Sequence, residues 1–270
     1  MNGHDDLSDA ARLSSSFTDF LKTERPDLLP QIFSGTIEAM EATTILALRY
    51  DNGVVMAGDR RATEGFSIAH REIEKVFPTD SFSAVAIAGA AGPAMEMVRL
   101  FQTELEYYEK VEGEALSLAG KANHLGRLIR ANLPAAMQGF VVLPLFAGYD
   151  PRRSEGRIYR YDVTGGISEE TDFHSVGSGG RDAKNSLKKL YVRADDIDQA
   201  RAIEMAIEAL ADAAEEDAAT AGPDPVHGIY PTCFMIDSDG VRAADAGEIE
   251  RVATEVLDRR TEISRSGRSR

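Results

Sequence analysis

The chain has a single cysteine, Cys233, among its 270 residues. An intrachain disulfide is therefore excluded, and a reducing compartment is expected. Cys233 lies in the apolar run Thr232-Cys233-Phe234-Met235-Ile236, the setting of a buried strand residue rather than a reactive thiol. Long hydrophobic runs are also missing. No stretch approaches bilayer-spanning length, and no apolar h-region follows the acidic, polar start, so a cytoplasmic protein away from membranes is expected. Basic side chains are outnumbered: 30 Lys and Arg face 45 Asp and Glu, a net charge of −15 that argues against nucleic acid as a partner. His4, His70, His124, His174 and His227 are scattered without paired ligand spacing or a cysteine cluster, which disfavours metal hydrolysis. No G-x-S-x-G element follows a strand, so a Ser-His-Asp esterase is disfavoured too. Gly177–Gly180 has Asp182 where a dinucleotide fingerprint needs its last glycine. No metal and no organic cofactor is expected.

What remains is an ordinary globular composition, 43% hydrophobic and 28% charged, in a chain long enough for a sizeable core. Residues 1–42 stand apart. They carry eight acidic and three basic side chains, net −5, leaving −10 for the remainder. Serines and aspartates open this segment, a short helix fits around Phe17–Leu21, and Pro26 and Pro30 interrupt regular structure. Composition alone reads it as an acidic tail without a role.

Beyond it, Ile45–Tyr50 and Val54–Ala57 are apolar runs around Asp51-Asn52-Gly53, a strong hairpin signal. Ala84–Ala88 reads as a strand ending at Gly89. Ala94, Met97, Val98, Phe101, Leu105 and Tyr108 follow helical spacing after Pro93, and a second helix runs from about Leu116 until Pro134 disturbs it. Phe140–Gly148 and Arg157–Tyr161 read as paired strands, 179–191 and 197–215 as helices, Ile229–Asp237 as a strand turned at Ser238-Asp239-Gly240, and 246–258 as a closing helix. From Arg259 the tail holds five arginines among serines and reads as flexible. Strands in two groups and helices in adjacent pairs imply an α+β fold, a four-layer α-β-β-α sandwich of two antiparallel sheets. The alternating order of a parallel doubly wound sheet is absent, as are internal repeats and a linker after residue 43.

Thr43, Asp59 and Lys75 are spaced by sixteen residues each. A threonine hydroxyl is a weak nucleophile at its own pKa. Cleavage of the chain just before it would free an α-amine that serves as its base. Such an amine titrates near 7.7–8.0 when unperturbed, close to operating pH. A buried lysine paired with an aspartate supplies positive potential that keeps the amine neutral and eases deprotonation of the hydroxyl. The arrangement predicts a precursor cut at Ala42–Thr43. Each residue also has a plain explanation taken singly. A Thr-Thr pair suits a strand, Asp59 follows Gly58 as a turn residue would, and most lysines are solvated. Lys75, however, is flanked by Ile73 and Val76-Phe77, where an unpaired ammonium would be costly.

From Thr43 to about residue 258 the chain resembles proteasome core-particle β subunits of the actinobacterial type, which are N-terminal-nucleophile hydrolases. The resemblance rests on Thr43-Thr44-Ile45, Val55-Met56-Ala57-Gly58-Asp59-Arg60-Arg61-Ala62-Thr63, Ile87-Ala88-Gly89-Ala90-Ala91, Ala136-Met137-Gln138-Gly139, Leu145-Phe146-Ala147-Gly148-Tyr149-Asp150, Val176-Gly177-Ser178-Gly179 and Asp217-Ala218-Ala219-Thr220, in that order. It implies a threonine endopeptidase with Thr43 as nucleophile and residues 1–42 as a removable propeptide. It also implies homo-oligomeric β rings, seven-membered and stacked in pairs, capped by α subunits and fed unfolded polypeptides by an ATPase or other activator ring. Asp59 would fix Lys75 and the Thr43 backbone, and the Gly89 N–H would meet the oxyanion. Ser178 and Asp217 would attend the amine, with Thr220 supplying a further hydroxyl. Otherwise Gly89 reads as a strand-end bend, Ser178 as a helix cap and Asp217 as a helix end.

The resemblance places a first specificity pocket at Ala62, Ile73, Phe77, Ile87, Ala91 and Met95. All are apolar, with no acid to receive lysine or arginine, so large apolar side chains before the cut are expected. The plain alternative makes Ile73, Ile87 and Met95 core. Thr63 and Gly89–Ala91 would pair with the substrate backbone as an added strand. One departure stands out: the family commonly has glycine before the nucleophile, where this chain has Ala42, whose methyl constrains the strained conformation from which self-cleavage starts. Gly35-Thr36 offers a Gly-Thr pair, but Thr36 has the wrong distance to Lys75 and no strand after it. Two alternatives stand beside this reading. One is a peptidase of the HslV type, which has a shorter chain and little propeptide. The other is a catalytically silent β-ring subunit.

Overall fold

The computed structural model describes residues 43–64 and 67–267. The expected leader, its helix around Phe17–Leu21 and the Ala42 side of the cut lie outside the described residues. In chain order the strands are β1 (Thr44–Tyr50), β2 (Gly53–Gly58), β3 (Ala62–Glu64), β4 (Ser67–His70), β5 (Val76–Asp80), β6 (Ser83–Gly89), β7 (Val142–Asp150), β8 (Glu155–Tyr161), β9 (Ile167–Glu170), β10 (Phe173–Gly177), β11 (Thr232–Asp237) and β12 (Gly240–Ala243). Helices α1 (Ala91–Glu112), α2 (Leu118–Ala131) and the single turn α3 (Leu133–Ala136) follow β6; α4 (Gly180–Leu190) and α5 (Gln199–Glu216) follow β10; α6 (Ala246–Gly267) closes the fold.

One five-stranded sheet has the order β10-β1-β2-β11-β12 and the other β5-β6-β7-β8-β9, with antiparallel pairing throughout. Strand alternation sorts the side chains into three cores. On β1, Leu46, Leu48 and Tyr50 face α4, α5 and α6, and they pack with Leu187, Ile203, Leu210 and Val252. Ile45 and Ala47 point the other way, into the seam between the sheets, to meet Met56, Ala86, Leu145 and Ile158. On β6, Val85 and Ile87 face α1 and α2 through Phe101, Leu105, Leu125 and Ile129. The layers therefore run helices, sheet, sheet, helices, as the residue pattern implies.

Caps mark where the helices begin. Ser117 accepts from Gly120 N–H at the start of α2, and Asp198 accepts from Arg201 N–H at the start of α5. Pro134 ends α2 as expected and reappears inside α3. The short strands β3, β4, β9, β10 and β12 escape the sequence pattern because each has at most five residues, too few for an alternation to register. α6 continues to Gly267, past the expected end at 258, since Arg259 bridges to Glu204 and Glu208, and Arg260 to Asp212 and Glu215, all on α5.

Candidate active site

Thr43 sits immediately before β1 and is 6% exposed. Its carbonyl accepts from Ser178 N–H at 3.0 Å, and Thr44 pairs with Gly177 across the β1–β10 ladder. Gly177 has φ +114°, and a Cβ there would lie 1.7 Å from the Thr43 carbonyl oxygen. Only glycine lets β10 approach the start of β1 this closely.

Asp59 follows directly on β2 and has no exposed surface. Its Oδ1 accepts from Thr44 N–H at 2.8 Å and from the Lys75 ammonium at 2.6 Å. Its Oδ2 accepts from Arg61 N–H at 2.9 Å and Ala221 N–H at 3.0 Å. Four donors, one of them an ammonium, thus converge on one buried carboxylate and satisfy its hydrogen-bonding capacity. Lys75, 3% exposed, also donates to the Arg61 carbonyl at 2.5 Å. An ion pair of 2.6 Å thus lies one residue from Thr43, as the spacing suggested.

A second carboxylate anchors the other side. Asp217, at the end of α5, accepts from the Ser178 hydroxyl at 2.5 Å and the Thr220 hydroxyl at 2.6 Å through Oδ2, and from Ala219 N–H through Oδ1. Burial pushes this carboxyl up, but those hydrogen bonds and the Arg61 charge outweigh it and hold it below the ordinary aspartate range. Because Thr220 gives its proton to Asp217, its oxygen is left to accept from the Thr44 hydroxyl 2.6 Å away. Thr44 in turn accepts from Gly179 N–H at 3.0 Å. A directed chain of hydrogen bonds therefore runs from the α4 cap through Thr44 and Thr220 to Asp217.

Gly89 ends β6 with φ +107°. A Cβ at this position would lie 2.1 Å from the Val141 carbonyl oxygen, which already accepts from Ala90 N–H. Ile87 N–H donates across to Lys75 O, so strand alternation aims the Gly89 N–H to that same side, just beyond the start of β5. That is the Thr43 side. Thr43, Ala62, Ile73, Glu74, Lys75, Ile87, Gly89, Ala91 and Met95 line one pocket.

The sequence-derived residues thus converge, with two corrections. Phe77 is not among the pocket's lining residues; it is partly buried against the core between the β6 sheet and α1–α2, opposite its register partner Val85. Glu74 does line the pocket and is exposed, so its rim carries an acid that the apolar residues of this segment concealed. Thr63 is buried on β3 outside that pocket. Two participants were not foreseen: the Thr44 hydroxyl, masked by the ordinary preference of threonine for strands, and Arg61. Arg61 donates from Nη1 to the carbonyls of Ala218 at 2.8 Å and Thr220 at 3.3 Å. A run of consecutive arginines beside a site acid was the available signal.

Two antiparallel sheets sandwiched between helices, with a threonine at the head of the first strand against a buried ammonium–carboxylate pair, define the N-terminal-nucleophile hydrolase class of fold. The family described as "Proteasome subunit" matches residues 39–226. The chain belongs to that family, as a core-particle β subunit of the actinobacterial type. It is 59% identical over 214 residues to "Proteasome subunit beta" of Acidimicrobium ferrooxidans, covering 79% of this chain and 78% of the relative. It is 50% identical over 254 residues to "Proteasome subunit beta" of Streptomyces griseus, covering 92% and 90%. Membership carries the family's general character, a threonine peptidase assembled with α subunits into a core particle. Among the described residues no helix is long and apolar enough to cross a membrane.

Proposed function

We propose that this chain is an active threonine endopeptidase, made as a precursor and matured by self-cleavage between Ala42 and Thr43. Residues 1–42 are then the propeptide and the peptidase domain starts at 43, its closing helix carrying the basic segment from Arg259 onward as far as Gly267. The observation that carries the reading is the Asp59–Lys75 pair bonded to Thr44 N–H, one residue from the nucleophile.

After the cut, the Thr43 amine takes the proton from its own hydroxyl, and Oγ1 attacks the scissile carbonyl. Lys75 supplies the nearby positive potential that keeps the amine neutral, and Asp59 holds that ammonium in place. The Gly89 N–H receives the developing oxyanion, a donor of a kind worth ~2.7–4 kcal/mol of barrier. The amine then protonates the leaving nitrogen, and the C–N bond breaks to leave an ester on Thr43. Water, deprotonated by the same amine, hydrolyses that ester and restores the hydroxyl. Asp217, Ser178 and Thr220 hold the 177–179 backbone against Thr43. Ile73, Ile87, Ala91 and Met95 favour large apolar side chains before the cut, with Glu74 at the rim. The substrates are unfolded polypeptides in the cytoplasm, reaching stacked seven-membered β rings through α rings and an ATPase or other activator.

Intact mass and N-terminal sequencing after assembly with the α partner test this. The native chain is expected to begin at Thr43 and to hydrolyse peptides, while Thr43→Ala keeps its leader and is silent. Undiminished hydrolysis by the Thr43→Ala particle would overturn the reading; an assembled native particle without hydrolysis would identify a silent ring subunit.

A further inference from the structure

We infer that Arg61 is a positioning residue that locks the Lys75–Asp59 half of the site to the Asp217–Ser178 half. The inference rests on the proposed roles of Thr43 and its amine. The backbone of Arg61 serves one half: its N–H donates to Asp59 Oδ2 and its carbonyl accepts from the Lys75 ammonium. Its side chain serves the other, gripping the Ala218 and Thr220 carbonyls in the loop that follows Asp217. That loop also sends Ala221 N–H back to Asp59 Oδ2, so the two carboxylates are tied through one residue and one short loop.

The neighbouring Arg60 is a natural comparison. Its guanidinium holds the carbonyls of Glu72 and Ile73, the second of which lines the pocket, rather than the loop at the second carboxylate. Adjacent arginines thus grip opposite walls of the site. Loss of Arg60 should disturb substrate binding; loss of Arg61 should disturb the geometry and charge around the amine.

The sign of the charge effect follows from the groups present. Asp59, Lys75, Arg61 and Asp217 are charged groups close to Thr43, with Glu74 at the rim of its pocket and Arg60 held to the Ile73 carbonyl; only the Arg61 charge is removed in the variant. Removing the Arg61 cation favours the protonated form of both Asp217 and the freed amine. The acid limb of the rate profile, which requires both deprotonated, then moves to higher pH.

The test uses assembled, matured particles carrying Arg61→Met, Arg61→Lys or Arg60→Met, with the assembled, unprocessed Thr43→Ala particle as the control, and peptide hydrolysis is followed across pH. Arg61→Met is expected to lower kcat roughly 10- to 100-fold with KM little changed, as small displacements of a reacting group do, and to shift the acid limb upward. Arg61→Lys keeps the cation and a terminal donor, so it should restore the position of the limb and part of the rate. Arg60→Met should act mainly on KM. An Arg61→Met particle with native kcat would overturn the inference, as would a rate loss with the acid limb unmoved, the mark of a purely structural role. Should Arg61→Met fail to assemble, Arg61→Gln carries the same pH comparison. Activity surviving in Thr43→Ala would instead sink the nucleophile reading; silence there with native-like Arg61→Met sinks this inference alone.

Discussion

Replacing Asp59 by asparagine removes one charge and exchanges one oxygen for an amide nitrogen, with almost no change in size. The four donors on Asp59 make the consequence calculable. If the asparagine oxygen stays on Lys75 and Thr44, its NH2 confronts the N–H groups of Arg61 and Ala221, and two buried donors lose their acceptor. Each costs about 1–3 kcal/mol. The Lys75 ammonium, 3% exposed, also loses its counter-charge, and breaking a buried pair from one side costs about 3–5 kcal/mol. These terms are not additive, but together they approach the whole stability of a typical domain, about 5–15 kcal/mol. Asp59→Asn is therefore expected to destabilise the chain by at least about 3 kcal/mol. Lys75→Met in the same background removes the stranded charge and should recover much of the ion-pair part. Neither variant should hydrolyse peptides, because both lose the potential at the amine. With no tryptophan in the chain, unfolding in urea is best followed by far-UV circular dichroism, at one protein concentration because assembly shifts the midpoint. A loss below about 1 kcal/mol for Asp59→Asn, or a double variant no more stable than the single one, would refute the reasoning.

Gly89→Ala combines a φ of +107° with a Cβ 2.1 Å from Val141 O. Unfolding should show a loss of at least about 1–3 kcal/mol from backbone strain, and steady-state kinetics a kcat reduced about 100-fold as the oxyanion donor turns away. At the far end of the sandwich, burial raises the Asp237 carboxyl, but bonds from Arg242, Tyr50 and Asp239 N–H outweigh it and leave the pKa below the ordinary value. The pair's stabilisation is then fully present above the unfolded aspartate pKa of about 3.9 and lost as pH falls through the lower folded value. Arg242→Met should flatten that acid loss, and urea midpoints measured from pH 3 to 7, on the order of five points, check it.

The sequence was most informative where a burial pattern repeats over a whole element. The alternation on β1 and β6 and the helical spacing on α1 and α5 each encode which face is covered, so the four layers could be inferred. Thr43, Asp59 and Lys75 were legible through the resemblance, and the apolar flanks of Lys75 added the physical hint that a buried ammonium demands a partner, which Asp59 supplies at 2.6 Å. Phe77, which is absent from the pocket lining, and Glu74, which is part of it, show the converse: which residues at the start of a strand reach a pocket depends on elements packed beside it that are distant in sequence. The Thr44 hydroxyl was hidden in another way. A buried threonine in a strand is favoured by its shape alone, so its sequence cannot reveal whether the hydroxyl has work to do. Thr44→Val separates shape from hydrogen bonding. It preserves the β-branched outline in a position with no exposed surface, yet leaves Gly179 N–H without its acceptor at the start of α4. The expected cost is about 1–3 kcal/mol in unfolding. Peptide hydrolysis should fall as well, since Gly179 follows Ser178, whose N–H holds the Thr43 carbonyl. If Thr44→Val unfolds within about 0.5 kcal/mol of the native chain, the hydroxyl chain from Gly179 to Asp217 is ornamental, and the 177–179 segment is held by the β10 ladder alone.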